Sequence, residues 1–135
     1  MLHCQGVALD VLAVAPSGRR IAISIKCREV MTPKQNESMY IFRARSGKRG
    51  ADDLIARFRK ICTQLAAEPW IAAVIIKPEG CYAHMISLEH YECKYARGMR
   101  KIKAWNTSPK WLARYAADPA ILGNKEPGKP GIWML

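Results

Sequence analysis

The stretch VALDVLAVAPSGRRIAISIKCRE, residues 7–29, decides the fold. Residues 7–15 are apolar apart from Asp10, and Pro16-Ser17-Gly18 then breaks the run. From Arg19 onward the chain alternates. Ile21, Ile23, Ile25 and Cys27 share one face, and Arg20, Ala22, Ser24, Lys26 and Arg28 share the other. Period-2 alternation beside a Pro/Gly turn predicts a β-hairpin. Pro suits the start of such a loop, and Gly suits the left-handed residue that closes it. Pairing Ala15 with Arg19 sets Asp10 opposite Ser24, with Lys26 its diagonal neighbour on the same face.

Outward from the hairpin, residues 31–37 (MTPKQNE) read as a polar loop, residues 39–43 as a third strand and residues 46–50 as a basic loop. Leu54, Ile55, Phe58, Ile61, Cys62, Leu65 and Ala66 recur at helical spacing and predict a helix over 51–67, with Asp52 and Asp53 at its positive end. The run WIAAVII, residues 70–76, suits a buried central strand, and Lys77-Pro78-Glu79-Gly80 turns it into another strand over 81–86. Ser87 can cap a short helix to about Ala96, residues 101–105 read as strand or loop, and Ser108-Pro109 starts a helix that Asp118-Pro119 stops. The Gly/Pro/Lys-rich residues 123–131 read as a surface segment. The fold class is α/β (α+β): a mixed sheet of about five strands with helices packed on it. The expected organisation is one domain over 1–135, with a core over 7–96 and a C-terminal helix and basic tail over 97–135.

The chain has 135 residues, half of them hydrophobic and 24% charged, which is globular composition and argues against disorder. Lys and Arg total 22 against 11 Asp and Glu, a formal net charge of +11. Such a surplus points to a polyanionic partner, nucleic acid ahead of an anionic membrane. The cysteines (Cys4, Cys27, Cys62, Cys81, Cys93) are odd in number and irregularly spaced, and there is no apolar export segment or long uncharged run. These features argue against a secreted disulfide scaffold and a membrane protein, and for a reduced, cytoplasmic setting.

A carboxylate and a lysine converging across a hairpin suit metal-assisted phosphodiester hydrolysis, the carboxylate holding Mg²⁺ and the lysine polarising water. Asp10 followed by Ser24-Ile25-Lys26 resembles the core of the PD-(D/E)xK, or restriction endonuclease-like, superfamily over about residues 7–76. That family places an acid at one strand and acid-x-Lys on the next, then a helix and further strands. The segments ISIKCRE, EPWIAAVIIK and SLEHYECKYA are similar to those of small bacterial proteins of this superfamily, in a style associated with mobile gene cassettes. The resemblance implies a restriction endonuclease-like core in which Asp10, Ser24 and Lys26 are the catalytic positions and Asp10 is the Mg²⁺ ligand. Two departures from the pattern weigh against metal-dependent cleavage. Ser24 stands where the family has an acid or Gln, and no helix precedes the first strand. Glu29, Glu37, Asp52 and Asp53 are candidates for a migrated acid. The sheet surface left by the absent helix invites a second copy or a partner. The bland alternative for Asp10 and Lys26 is a plain cross-strand ion pair.

Arg28, Lys34, Arg43, Arg45, Lys48 and Arg49 surround this site in sequence and are the candidate nucleic-acid-binding residues. Tyr40 and Phe42 lie among them and could stack on bases, although alternate strand positions more often belong to a core. Cys81-x2-His84 and His90-x2-Cys93 look like a zinc set, yet residues three apart on a strand point to opposite faces, so Cys81 and His84 cannot share an ion. The expected function is therefore a nucleic-acid-binding protein, DNA ahead of RNA, with impaired or no nuclease activity. A Mg²⁺-dependent nuclease using Asp10 and Lys26, and a non-catalytic interaction or homodimerising module, are the alternatives.

Overall fold

The computed structural model of the chain describes residues 9–32, 35, 38–42, 50–96 and 103–123. Its strands are β1 (Val11–Val14), β2 (Arg20–Glu29), β3 (Ser38–Phe42), β4 (Glu68–Lys77), β5 (Gly80–Ser87), β6 (Lys103–Asn106) and β7 (Leu122–Gly123). Its helices are α1 (Ala51–Gln64), α2 (Leu88–His90), which continues as a wider π turn over Tyr91–Tyr95, and α3 (Pro109–Ala117).

The hairpin forms in the expected register. Val11 pairs with Ile23 and Val14 with Arg20, the Ala15 amide donates to Arg19 and the Gly18 amide to Ala15. Gly18 closes the loop at φ +86, the left-handed region that glycine enters without a Cβ penalty. At the mouth of the hairpin Arg19 grips Glu68 of β4 through two bonds of 2.9 and 2.7 Å, tying the first turn to the start of the central strand.

The main sheet runs β1-β2-β4-β5-β7. β2 and β4 are parallel, and the other neighbours are antiparallel, so the sheet is mixed. β4, apolar on both faces as WIAAVII anticipates, sits in the middle. Ala22, Ile71, Ala73, Ile75 and Ile86 of this sheet join Ile55, Phe58 and Cys62 of α1, Tyr91 and Tyr95 of the π turn, and Leu112 and Tyr115 of α3 in one core. Ile21, Ile23, Trp70, Ala72 and Met85 form a second, strand-only cluster on the opposite face. All three helices thus contribute to one side of the sheet.

The third strand does not join that sheet. β3 pairs with β6 in a separate antiparallel ladder that shifts register between Tyr40 and Phe42. This bulge buries Ile41 and Phe42 together and leaves Tyr40 41% exposed, so the two aromatics do not share a face. Trp105 of β6 is fully buried, stacked on Tyr115 at a centroid distance of 4.0 Å and flanked by Tyr91, Tyr95 and His84. The hydroxyls of Tyr91 and Tyr115 donate to the carbonyls of Ala104 and Asn106, at 2.7 and 2.9 Å, so the same rings hold the second ladder by its backbone.

Sequence signals for helix ends hold in part. Ser87 accepts from the His90 amide at 3.2 Å as an N-cap, and α3 begins at Pro109 after Ser108. α1 ends at Gln64, earlier than its apolar periodicity extends, because Ala66 turns left-handed at φ +51 and the Ala67 amide bonds back to Cys62 at 2.9 Å. Gly123 pairs closely with β5: a Cβ there would lie 1.9 Å from the Ala83 carbonyl oxygen.

Ala66 occupies a backbone conformation that costs a non-glycine residue about 1–2 kcal/mol. Ala66→Gly is expected to raise unfolding free energy by about 1 kcal/mol in urea titration, the strain relief exceeding the entropy that glycine loses. A destabilised variant would contradict the strain.

Candidate functional site

Asp10 lies immediately before β1, where that edge strand stops covering β2. Beyond Ile23 the β2 backbone loses its β1 partner, and the exposed Asp10 carboxylate takes over: its Oδ2 accepts from the Ile25 amide at 2.7 Å, while the Asp10 amide donates to the Ile23 carbonyl at 3.0 Å. Asp10 therefore caps the hairpin, extending the ladder by one step with a side chain.

Opposite it, Ser24 is fully buried, and its hydroxyl oxygen has no hydrogen-bond partner. The reason lies in which face of β2 meets the helices. Ile21, Ala22, Ile23 and Ser24 are all buried, so the first half of the strand is covered on both sides. In its second half the polar members turn inward: Lys26 and Arg28 are half-buried, while Ile25 and Cys27 are exposed. The helix layer lies over Ala22, Ser24 and Lys26, the set that alternation alone marks as polar.

Lys26 is two strands from His84 on this face, in the row Lys26–Ala73–His84. It makes no ion pair with Asp10. Arg28 donates to the Ser38 carbonyl, and this joins β2 to the start of the second ladder. Of the candidate nucleic-acid-binding residues, Lys34, Arg43, Arg45, Lys48 and Arg49 lie outside the described residues, as does Glu37.

Mg²⁺ prefers octahedral oxygen coordination through one or two carboxylates plus water and phosphate. Here one carboxylate is exposed, with an oxygen engaged by a backbone amide, and the neighbouring hydroxyl is sealed in the core. Among the described residues no three His, Cys, Asp or Glu side chains converge. Glu29, Asp52 and Asp53 do not complete a set with Asp10, and Asp52 instead faces Lys103 at 3.8 Å. The described donor set does not fit a resident divalent cation.

Two buried polar sites are invisible to strand periodicity. Asp118, read from sequence as a helix stop, has its side chain 3% exposed and collects four donors: His90 Nε2 at 2.8 Å, Lys94 Nζ at 2.9 Å and the Tyr95 hydroxyl at 2.5 Å on Oδ2, and the Ala120 amide at 3.0 Å on Oδ1. Burial would raise its pKa, but the bonds from His90, Tyr95 and Lys94 outweigh burial and hold the carboxyl well below the usual carboxylate range. Four donors satisfy the carboxylate, so the site anchors the end of α3 to the π turn and offers no open position. The i, i+4 spacing of His90 and Lys94, followed by Tyr95, was its available signal.

His84 is the second. It is 3% exposed on β5, and neither ring nitrogen has a hydrogen-bond partner. Tyr82, Trp105 and Tyr115 surround the ring. Cys81 is exposed and His84 buried, as opposite faces of a strand require. His90 is bound to Asp118 and Cys93 is an exposed free thiol, so neither half of the zinc-like spacing forms a ligand set.

No family model, no curated protein and no solved structure matches the chain. Among the described residues no helix is long and apolar enough to cross a membrane.

Burial pushes the His84 pKa down from 6.5 to about 4. The unfolded chain thus binds the proton that the folded chain excludes between these values, so this stability is complete above pH 6.5 and is lost as pH falls toward 4. The full loss amounts to about 3 kcal/mol. Asp118 acts in the same direction but below its unfolded value of 3.8. Urea unfolding at pH 7 and pH 4.5 should show the drop in the parent chain and a flattened profile in His84→Leu. Equal parent stability at the two pH values would contradict a neutral buried imidazole.

Proposed function

We propose that the chain is a nucleic-acid-binding module on a restriction endonuclease-like core, acting in the cytoplasm, that holds the phosphate backbone without cleaving it. The observation that carries this reading is the surplus of positive charge. The chain is +11, and Arg20, Arg57, Lys60 and Lys110 are exposed cations with no acid partner among the described residues. Arg57 and Lys60 stand one turn apart on the outer face of α1, where Arg59 is already tied to Glu92. Unpaired surface cations bind phosphates electrostatically and release counterions.

The order of elements supports the core assignment: an acid at the first strand, x-Lys on the second, a helix, and a strand parallel to the second. The site chemistry supports binding without hydrolysis. Asp10 is occupied as a backbone acceptor, and Ser24 brings neither charge nor access. The free thiols of Cys27, Cys62 and Cys93 are consistent with a reducing compartment.

A second reading has its own observation. β1 is an edge strand whose Val14 is 62% exposed and whose Val11 and Leu12 are each 40% exposed. Unprotected apolar edges pair with other strands, so a homodimer through β1 is compatible with binding. Concentration-dependent sedimentation tests it.

Fluorescence anisotropy with labelled double-stranded DNA, single-stranded DNA and RNA, at matched ionic strength with Mg²⁺ or EDTA, tests the main reading. The affinity is expected to fall linearly in log salt, to be the same in both media and to favour DNA. A denaturing gel should show intact substrate. Arg57→Ala/Lys60→Ala should lessen the log–log slope by about one per lost phosphate contact. Mg²⁺-dependent cleavage abolished by Asp10→Ala would replace this reading with a nuclease, and no binding at low salt would remove it.

A further inference from the structure

Lys77 is the last residue of β4 and continues the row Ile71, Ala73, Ile75 on the helix side of the sheet. At the end of this row the Lys77 stem is covered while its ammonium reaches the surface of a groove. Lys77 is only 8% exposed, and among the described residues it has neither an ion-pair nor a hydrogen-bond partner. Among the described residues the other buried lysine and the buried carboxylate are paired, Lys103 with Asp52 and Asp118 with its four donors.

The Lys77 side chain lines a groove of about 200 Å³ between the β4–β5 turn and α3. Glu79 and Tyr82 form the turn side, and Pro109, Leu112, Ala113 and Ala116 form the helix side. The groove exists because α3 presents small residues at one helical stripe while Tyr115 and Leu112 carry its packing against the core. Its surface is divided almost evenly between polar and apolar atoms, with one cation and one carboxylate at the turn end. The volume is below the ~300–1,000 Å³ of sites for drug-sized molecules, so it suits a small one.

We propose that this groove is a binding site for a small organic carboxylate with an apolar body, its carboxylate on the Lys77 ammonium and its body against Ala113, Ala116 and Tyr82. The charges select the class. A single ammonium balances a monoanion. Glu79, whose Oε1 accepts from the Tyr82 hydroxyl at 3.4 Å, repels a dianion such as phosphate about twice as strongly as a monoanion. A neutral molecule of the same shape would forgo the charge-assisted bond to the ammonium.

The test is a series of amide correlation spectra of the full chain, titrated in parallel with sodium benzoate, benzyl alcohol and inorganic phosphate. Benzoate is expected to shift the Lys77, Tyr82, Ala113 and Ala116 amides saturably, and to bind about tenfold more tightly than benzyl alcohol, as one charge-assisted bond allows. Phosphate should leave these amides unmoved. Lys77→Met, close to lysine in length, should bring benzoate down to the affinity of benzyl alcohol. Ala116→Leu, which leaves Lys77 in place and fills the groove, should abolish binding of both and decides the matter if the first variant does not fold. Equal affinity for benzoate and benzyl alcohol, unaltered benzoate binding in either folded variant, tighter binding of phosphate, or no saturable shift would each overturn the proposal.

Discussion

The burial of Trp105 against Tyr115 is the contact on which most of the structure rests. β6 is four residues long and among the described residues pairs with β3 alone, and an isolated two-stranded ladder is marginal in water. It persists because the indole fills the space between β5, the π turn and α3, while the Tyr91 and Tyr115 hydroxyls bond its carbonyls. Aromatic pairs at such distances contribute about 0.5–1.5 kcal/mol beyond the area they bury. Fixing Trp105 fixes α3, and with it the position of Asp118 under His90, Lys94 and Tyr95. It also commits much of the helix-side face of the main sheet to an apolar core, within which burial favours the neutral form of His84.

This commitment explains what was legible in the sequence and what was not. The hairpin was readable to its register because the turn chemistry of Pro16 and Gly18 and the alternation of β2 agree, and local consistency is what makes a pattern trustworthy. α1, β4, β5, the Ser87 cap and the start of α3 were readable for the same reason. The face of β2 that meets the helices was not readable, because alternation separates two faces without saying which one the helices cover. Ser24 accordingly looks like a site residue in sequence and is a sealed core residue in the fold. The separation of β3 from the main sheet depends on its long-range pairing with β6, and no local pattern records that. Tyr40 and Phe42 diverge through a bulge that period-2 counting does not contain. The Asp118 centre joins side chains 23 to 28 positions apart in the chain, and Lys77 reads as a turn lysine until α3 is placed beside it.

In the candidate site the acid and the lysine of one hairpin are each taken up by structural work. Asp10 and Lys26 stand where a hairpin brings an acid and a lysine near one another, yet the acid completes a β-ladder and the lysine leans into the helix layer. A carboxylate holding a backbone amide has one oxygen already engaged, and the loss of that bond would leave the Ile25 amide unsatisfied, a cost of about 1 kcal/mol. Positive charge, in contrast, acts at a distance and needs no assembled ligand set. Among the described residues the donors do not assemble a metal site and the surplus charge is positive, and the proposal of binding without cleavage rests on these two observations.

The most direct measurement follows the Ile25 amide by NMR while Mg²⁺ is added to the protein at constant ionic strength. The expected result is a downfield amide resonance, slow in hydrogen exchange, that Mg²⁺ leaves unmoved because Asp10 holds it. A saturable shift of the Ile25 amide with Mg²⁺, accompanied by faster exchange, would show the carboxylate leaving the backbone for a metal and would contradict the structural role of Asp10.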